Sequence, residues 1–268
     1  MRTILNMLIV AVSGFFMIGC TSVPFTGRSQ LMLTSPSEEA QLGEQAWREV
    51  LSQNRVSGNS KYNIALKRVG ANLAKAANKP DYKWEFLVFE NTEPNAFCLP
   101  GGKVGVYSGL FQYTANDAEL SAVVGHEIGH AIARHGGERM SQSAVQEIGA
   151  QAVATTLNGK SAGTVQAAMV AYSAGTNLGV MLPYSRTHEY EADKLGLVYM
   201  AKAGYNPNAA ITFWQKFGQL SQTGTVGEFF STHPMSEKRI EEMKAYLPTA
   251  LDMYRTAPSK KDLGESLK

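Results

Sequence analysis

Five histidines are scattered through the 268 residues of this chain, yet two of them, His126 and His130, stand four apart with Glu127 beside the first. On an α-helix, positions i and i+4 lie one above the other, so both imidazoles can reach a single metal ion. Two such histidines are two of the three protein ligands of a catalytic zinc, whose fourth position is left for water. Glu127 is one residue round the helix, close enough to take a proton from a water that zinc has brought to a pKa of about 7. Ala122, Val123, Val124, Ile128 and Ala131 make this segment apolar nearly all round, which predicts a buried central helix. Two histidines and a glutamate inside such a helix must be paired or metal-bound.

The third ligand has to come from elsewhere. The continuation His-x-x-Gly-x-x-His is absent, because Ala133 and Gly136 occupy those places. His135 is about 140° round the helix from His130 and reads as a helix-end histidine favoured by the negative end of the dipole. The helix after Pro183 offers Glu189, Glu191 and Asp193, with His188 a weaker rival. Glu189 and Asp193 share one face, and Ala192 and Gly196 on that side allow another helix to come close. Glu191 points about 160° away from Glu189 and reads as solvated. One carboxylate of the aligned pair can bind metal while the other orients a ligand imidazole; the spacing leaves open which does which.

The elements that must carry these residues follow from the hydrophobic pattern. Helices are expected at Glu38–Gln53, Ser60–Ala77, Asp117–His135, Ser185–Ala203, Asn206–Gln222 and Ser236–Tyr246. Asn116 is expected to cap the third of these and Gly136-Gly137 to stop it. Trp84–Phe89 and Lys103–Tyr107 read as strands, with Gly101-Gly102 as a hairpin turn, which predicts a small antiparallel sheet. Residues 141–182 are rich in small residues and read as two closely packed helices, since polar residues interrupt each window long enough to span a membrane; a membrane-associated hairpin is the alternative reading. The fold class is therefore α+β, mainly helical, with a small sheet next to the His126–His130 helix. A hydrophobic content of 44% excludes a disordered chain, and a net charge of +2 without a basic stripe makes no case for nucleic acid. Two cysteines exclude a disulfide framework.

The paired motifs His126-Glu127-x-x-His130 and Ser185-Arg186-x-x-Glu189-x-x-Ala192-Asp193 resemble those of the zinc metallopeptidase family that includes the CAAX prenyl proteases, HtpX and BepA. The resemblance extends to Asn95-Ala96-Phe97-Cys98-Leu99-Pro100-Gly101-Gly102, to Ser231-Thr232-His233-Pro234 and to Arg239. It implies a gluzincin-type endopeptidase with one zinc on His126, His130 and Glu189, Asp193 in support and Glu127 as general base. By the same resemblance Asn95, Ala96, Phe97 and Cys98 would offer a strand edge to an extended peptide. His233 and Arg239 would stabilise the oxyanion, or His233 would occupy the zinc and silence it. The substrates implied are proteins or peptides of the cell envelope under quality control.

The beginning of the chain bears on location. Arg2 followed by the apolar stretch Ile4–Ile18 reads as a signal segment over residues 1–19, and Met17-Ile18-Gly19-Cys20 resembles a bacterial lipobox with Cys20 as the acylated residue. Residues 20–35 are then expected to be a lipidated tether, residues 36–248 the peptidase domain and residues 249–268 a loose polar tail. Thr21, and not Asp, follows the cysteine, which by resemblance to the sorting rules of diderm bacteria implies the periplasmic face of the outer membrane. A reading of another class also fits: a chaperone or binding module whose zinc site is capped and regulatory, with His233 or the 141–182 segment as the cover.

Overall fold

The computed structural model describes residues 20–220 and 226–268; the expected signal segment, residues 1–19, lies outside the described residues. In chain order the elements are β1 (Cys20–Ser22), β2 (Ser29–Leu31), α1 (Pro36–Gln53), α2 (Ser60–Ala77), β3 (Glu85–Phe89), β4 (Ala96–Leu99), β5 (Lys103–Tyr107), α3 (Asp117–Ile132), α4 (His135–Thr156), α5 (Ala162–Thr176), α6 (Leu182–Ala203), α7 (Asn208–Gln219), α8 (Gly227–Thr232) and α9 (Glu237–Arg255). They fall into two compact units. The smaller takes in the described residues up to Glu38 together with Arg134–Ser185; the larger comprises Glu39–Ala133 and Arg186–Lys268. The mainly helical α+β class expected from the sequence is the class observed.

In the larger unit the sheet has the order β3-β5-β4. The Gly101-Gly102 turn forms as expected: both glycines have positive φ, and Gly102 N–H donates to Leu99 O. It pairs β4 with β5 antiparallel, with Ala96 opposite Val106. The sheet as a whole is mixed, because β3 pairs parallel with β5, Glu85 opposite Lys103. The chain leaving β3 passes over to the far side before β4, so the hairpin folds β5 back into the middle. Leu66, Val69 and Leu73 of α2 are buried, as are Val88, Phe89, Val104 and Val106 of the strands and Trp47 of α1. Removing such side chains from water at roughly 25 cal/mol per Å² is the main force holding these layers together.

α3 is buried from Asp117 to Ile132. Its N-terminus is fixed three times over. Asn116 Oδ1 accepts Glu119 N–H, while Glu119 Oε2 accepts Ala115 N–H. Arg68 grips both oxygens of Asp117 at 2.9 and 2.8 Å. The third support comes from the segment expected to be a loose tail: Glu265 O and Leu263 O accept the first amide protons of the helix, from Asp117 and Ala118. Leu267 is buried, and Lys268 Nζ donates to Phe111 O and Gln112 O. The last helix also runs further than its pattern suggested, through Pro248 to Arg255.

α3 ends earlier than expected. Arg134 adopts a left-handed conformation, φ 58°, so the chain turns there and Gly136-Gly137 fall inside the first turn of α4. His135 accordingly opens the next helix, buried, instead of closing α3. α6 crosses α3 at very short range. A Cβ added at Gly196 would lie 3.1 Å from His126 N and 3.3 Å from Gly125 C; one added at Gly129 would lie 2.9 Å from Ala192 O. Small residues on both helices permit this approach.

In the smaller unit, residues read as a tether form an antiparallel hairpin, Cys20 opposite Leu31, with Val23 buried. Arg28 donates to both carboxylate oxygens of Glu138 at 2.7 Å, and Leu33 N–H donates to Ser141 Oγ, which fastens the hairpin to α4. Residues 141–182 form the two expected small-residue helices. Gly149 leaves room for Tyr172, whose hydroxyl donates to Gln146 O. Among the described residues no helix is long and apolar enough to cross a membrane.

The tightness of the α3–α6 crossing is testable. Gly196→Val is expected to destabilise the fold by about 1–3 kcal/mol, the usual cost of overpacking a filled core, read as a lower midpoint in denaturant unfolding. An unchanged midpoint would mean that the two helices are free to separate.

Candidate functional site

The crossing brings three elements to one point. α3 presents His126 and His130 with their Nε2 atoms 3.1 Å apart. α6 brings Glu189, with Oε2 3.4 Å from His126 Nε2 and Oε1 3.2 Å from His130 Nε2. His233, just past the end of α8, places Nδ1 3.3 Å from His126 Nε2 and 3.4 Å from Glu189 Oε1. One donor atom from each of these four residues lies within 4.8 Å of all the others. Zinc binds nitrogen and oxygen at about 2.0–2.2 Å in a tetrahedron, whose edges are then about 3.3–3.6 Å. The donor spacing is close to that of such a tetrahedron.

Charge supports the same fit. Glu127, Glu189 and Asp193 are buried against the single buried guanidinium of Arg239, so with neutral histidines the pocket carries two surplus negative charges. A divalent cation neutralises them. Burial pushes the Glu127 carboxyl above its usual range. Burial opposes ionisation of Glu189 too, but His126, His130 and His233 hold it well below the ordinary carboxylate range. Burial disfavours a cationic His126, yet its hydrogen bond to Asp193 and its contact with Glu189 prevail and raise it to about 9.

Asp193 Oδ1 accepts the proton of His126 Nδ1 at 2.9 Å, which leaves the Nε2 lone pair facing the centre. Arg239 then fixes Asp193 with Nε to Oδ2 at 2.8 Å and Nη2 to Oδ1 at 2.7 Å. Its Nη1 lies 2.9 Å from Glu189 Oε2 and donates to Pro234 O. The guanidinium, expected to face an oxyanion, is engaged with Asp193, Glu189 and the His233-Pro234 backbone. It acts here as a brace. Trp214 of α7 completes the wall: its ring is 5.4 Å from the His126 ring, and the Arg239 guanidinium lies 5.4 Å over it.

Glu127 Oε1 is buried without a hydrogen-bond partner and lies 3.5 Å from His233 Nε2, so its carboxylate is free to take up a water or a substrate group. The segment Asn95–Cys98 is where the resemblance expects the substrate. β4 is an edge strand, and burial pushes the Cys98 thiol up, with the nearby Glu127 carboxylate adding to the shift. One expectation fails: Glu191 is buried, not solvated. His188, the weaker rival for the ligand role, is buried but outside the four-donor group. Trp214 and the glycines at 125 and 129 were not singled out in the sequence; the apolar stripe of α7 and the small residues flanking the first motif were the available signals.

Zinc loading tests the site. The wild type is expected to hold one ion, Glu189→Ala to lose tight binding, and Asp193→Ala to bind about 10–100-fold more weakly, measured by competition with a chelating dye. Unchanged affinity in Glu189→Ala would mean that another carboxylate is the ligand.

Comparison with known proteins agrees with this geometry. Residues 60–247 match Peptidase family M48. The chain is 33% identical over 232 residues to mitochondrial metalloendopeptidase OMA1 of Schizosaccharomyces pombe, covering 85% of this chain and 66% of the relative. It is 29% identical over 272 residues to OMA1 of Saccharomyces cerevisiae, covering 94% and 76%. It is also 28% identical over 244 residues to the Beta-barrel assembly-enhancing protease of Escherichia coli, covering 89% of this chain and half of that protein.

Proposed function

The chain belongs to peptidase family M48 and is a zinc metalloendopeptidase, and from that premise we propose that it cleaves internal peptide bonds of misfolded or unassembled proteins at a cell-envelope membrane. The observation that carries the site assignment is the buried group of His126, His130, Glu189 and His233 with the unpartnered Glu127 Oε1 beside it. Zinc held by His126, His130 and Glu189 would supply Lewis acidity toward the scissile carbonyl and acidify a water.

The remaining work falls to the chain's own groups. Glu127 takes the proton of the attacking water and passes it to the leaving amine nitrogen; its raised pKa suits that second donation. Asp193 keeps the His126 tautomer, and Arg239 keeps Asp193 and Glu189 in place. An extended substrate adds a strand to the free edge of β4 along Asn95, Ala96, Phe97 and Cys98. Backbone pairing of that kind gives affinity with little sequence preference, which suits unfolded clients. His233 Nε2, on the Glu127 side, can donate to the developing oxyanion.

The membrane location rests on Cys20 as a lipid anchor. Placement at the outer membrane and a role in quality control rest on Thr21 and on likeness to the Beta-barrel assembly-enhancing protease. A second reading, a capped and regulatory zinc site in a binding module, is favoured by one observation: His233 Nδ1 already stands at the fourth vertex.

Cleavage of casein by the 21–268 fragment separates the two. Glu127→Gln is expected to lower the rate by about 10²–10⁴-fold, the usual contribution of a general base, while retaining zinc. Equal rates in both proteins would remove Glu127 from the chemistry. A rise in rate for His233→Ala would favour the capped site, and a fall the oxyanion contact.

A further inference from the structure

Large apolar side chains on the surface are concentrated in the smaller unit. Met140, Val145 and Ile148 of α4, Val170 of α5, Leu178 and Val180 in the turn that follows, and Leu182 at the start of α6 are between 39 and 69% exposed. α5 buries none of its residues. No acidic residue occurs between Glu147 and Glu189, and the lysines and arginines of that interval are Lys160 and Arg186. A helix facing water carries a charged face, and α5 has none. Exposed apolar side chains concentrated in this way mark an interaction site.

Three observations identify the occupant as a lipid surface. The chain enters this unit at Cys20, straight from the apolar stretch Ile4–Ile18. Whether that stretch is retained or is removed with acylation of Cys20, β1 is the membrane-proximal end of the unit. The acid-free interval, with Lys160 between its two helices, offers no negative charge to repel anionic headgroups. Its helices are too short or too polar to span, while Gln166 and Ser173 among small apolar residues suit shallow immersion.

We propose that the α4–α5 hairpin and the turn after it form a second membrane contact, with the apolar face lying in the headgroup–acyl boundary of an anionic bilayer beside the N-terminal anchor. This rests on the reading of Cys20 as the tethered end. Two points of attachment would hold the smaller unit flat on the bilayer and limit its rotation about a single leash.

The test uses the full chain in phosphatidylethanolamine–phosphatidylglycerol vesicles, in a Cys98→Ser background, with Cys20 also replaced by Ser where the N-terminal peptide shows it is not acylated, and with a nitroxide on Ile148→Cys, Val170→Cys or Leu178→Cys. Ile64→Cys on α2, 60% exposed, is the reference. Collision with oxygen and with a water-soluble nickel chelate reports depth. The three sites are expected to be rich in oxygen collisions and poor in nickel collisions, and the reference the reverse. Nickel access equal to the reference at all three overturns the proposal. Protection from both agents also overturns it, because a protein, such as a second copy, would then cover the face. The mass of the N-terminal peptide reports acylation of Cys20 independently, so failure of the anchor reading and failure of this contact are distinguishable.

Discussion

Two helices approach so closely that backbone touches backbone, and at that point the protein buries more negative charge than it can neutralise. The rest of the larger unit is arranged around this constraint. Gly125 and Gly129 on α3 face Ala192 and Gly196 on α6, and that proximity lets Glu189 reach two imidazoles from another helix. An unpaired buried charge costs several kcal/mol. Arg239 offsets one of the three carboxylates, and the four converging donors are positioned to hold the cation that offsets the other two.

Such a site needs a rigid frame, because donor positions a fraction of an ångström apart decide whether a metal is held. Rigidity here comes from engagement at both ends of the chemistry. At the far end of α3, Arg68, the Asn116–Glu119 cap and the carbonyls of Leu263 and Glu265 satisfy the first turn. At the near end, Asp193, Arg239 and Trp214 form a continuous hydrogen-bonded and stacked wall behind His126. Among the described residues, Glu127 Oε1 and Glu189 Oε2 are the buried carboxylate oxygens without a hydrogen-bond partner; Glu189 Oε2 faces His126 and Arg239, while the uncommitted oxygen of Glu127 is the property a proton-transfer group requires.

Local pattern made much of this legible. The i, i+4 histidines, the Asn116 cap, the bounds of α2 and β5 and the Gly101-Gly102 turn all depend on neighbours along the chain, and all formed as read. What was not legible depends on partners far away in sequence. The parallel pairing of β3 with β5 follows from where the chain crosses, not from the composition of either strand. Arg134 turns the chain in a left-handed conformation that arginine seldom adopts. Glu191 was read as solvated from its angle to Glu189, but the partly exposed stripe of α6 runs through Tyr190 and Lys194, and Glu191 lies beside it among buried neighbours such as Ala192 and Leu195. The last residues look polar and loose until the unpaired amides of α3 are counted. At the site, the sequence supplied the donor residues; the bracing by Arg239 and Trp214 required the packing.

Anomalous diffraction at the zinc edge from crystals of the zinc-loaded protein addresses the central claim most directly. A single peak is expected within bonding distance, about 2.0–2.2 Å, of His126 Nε2, His130 Nε2 and a Glu189 carboxylate oxygen. A peak on other residues, or a Glu189 carboxylate turned away from both imidazoles with the metal in place, would contradict the account.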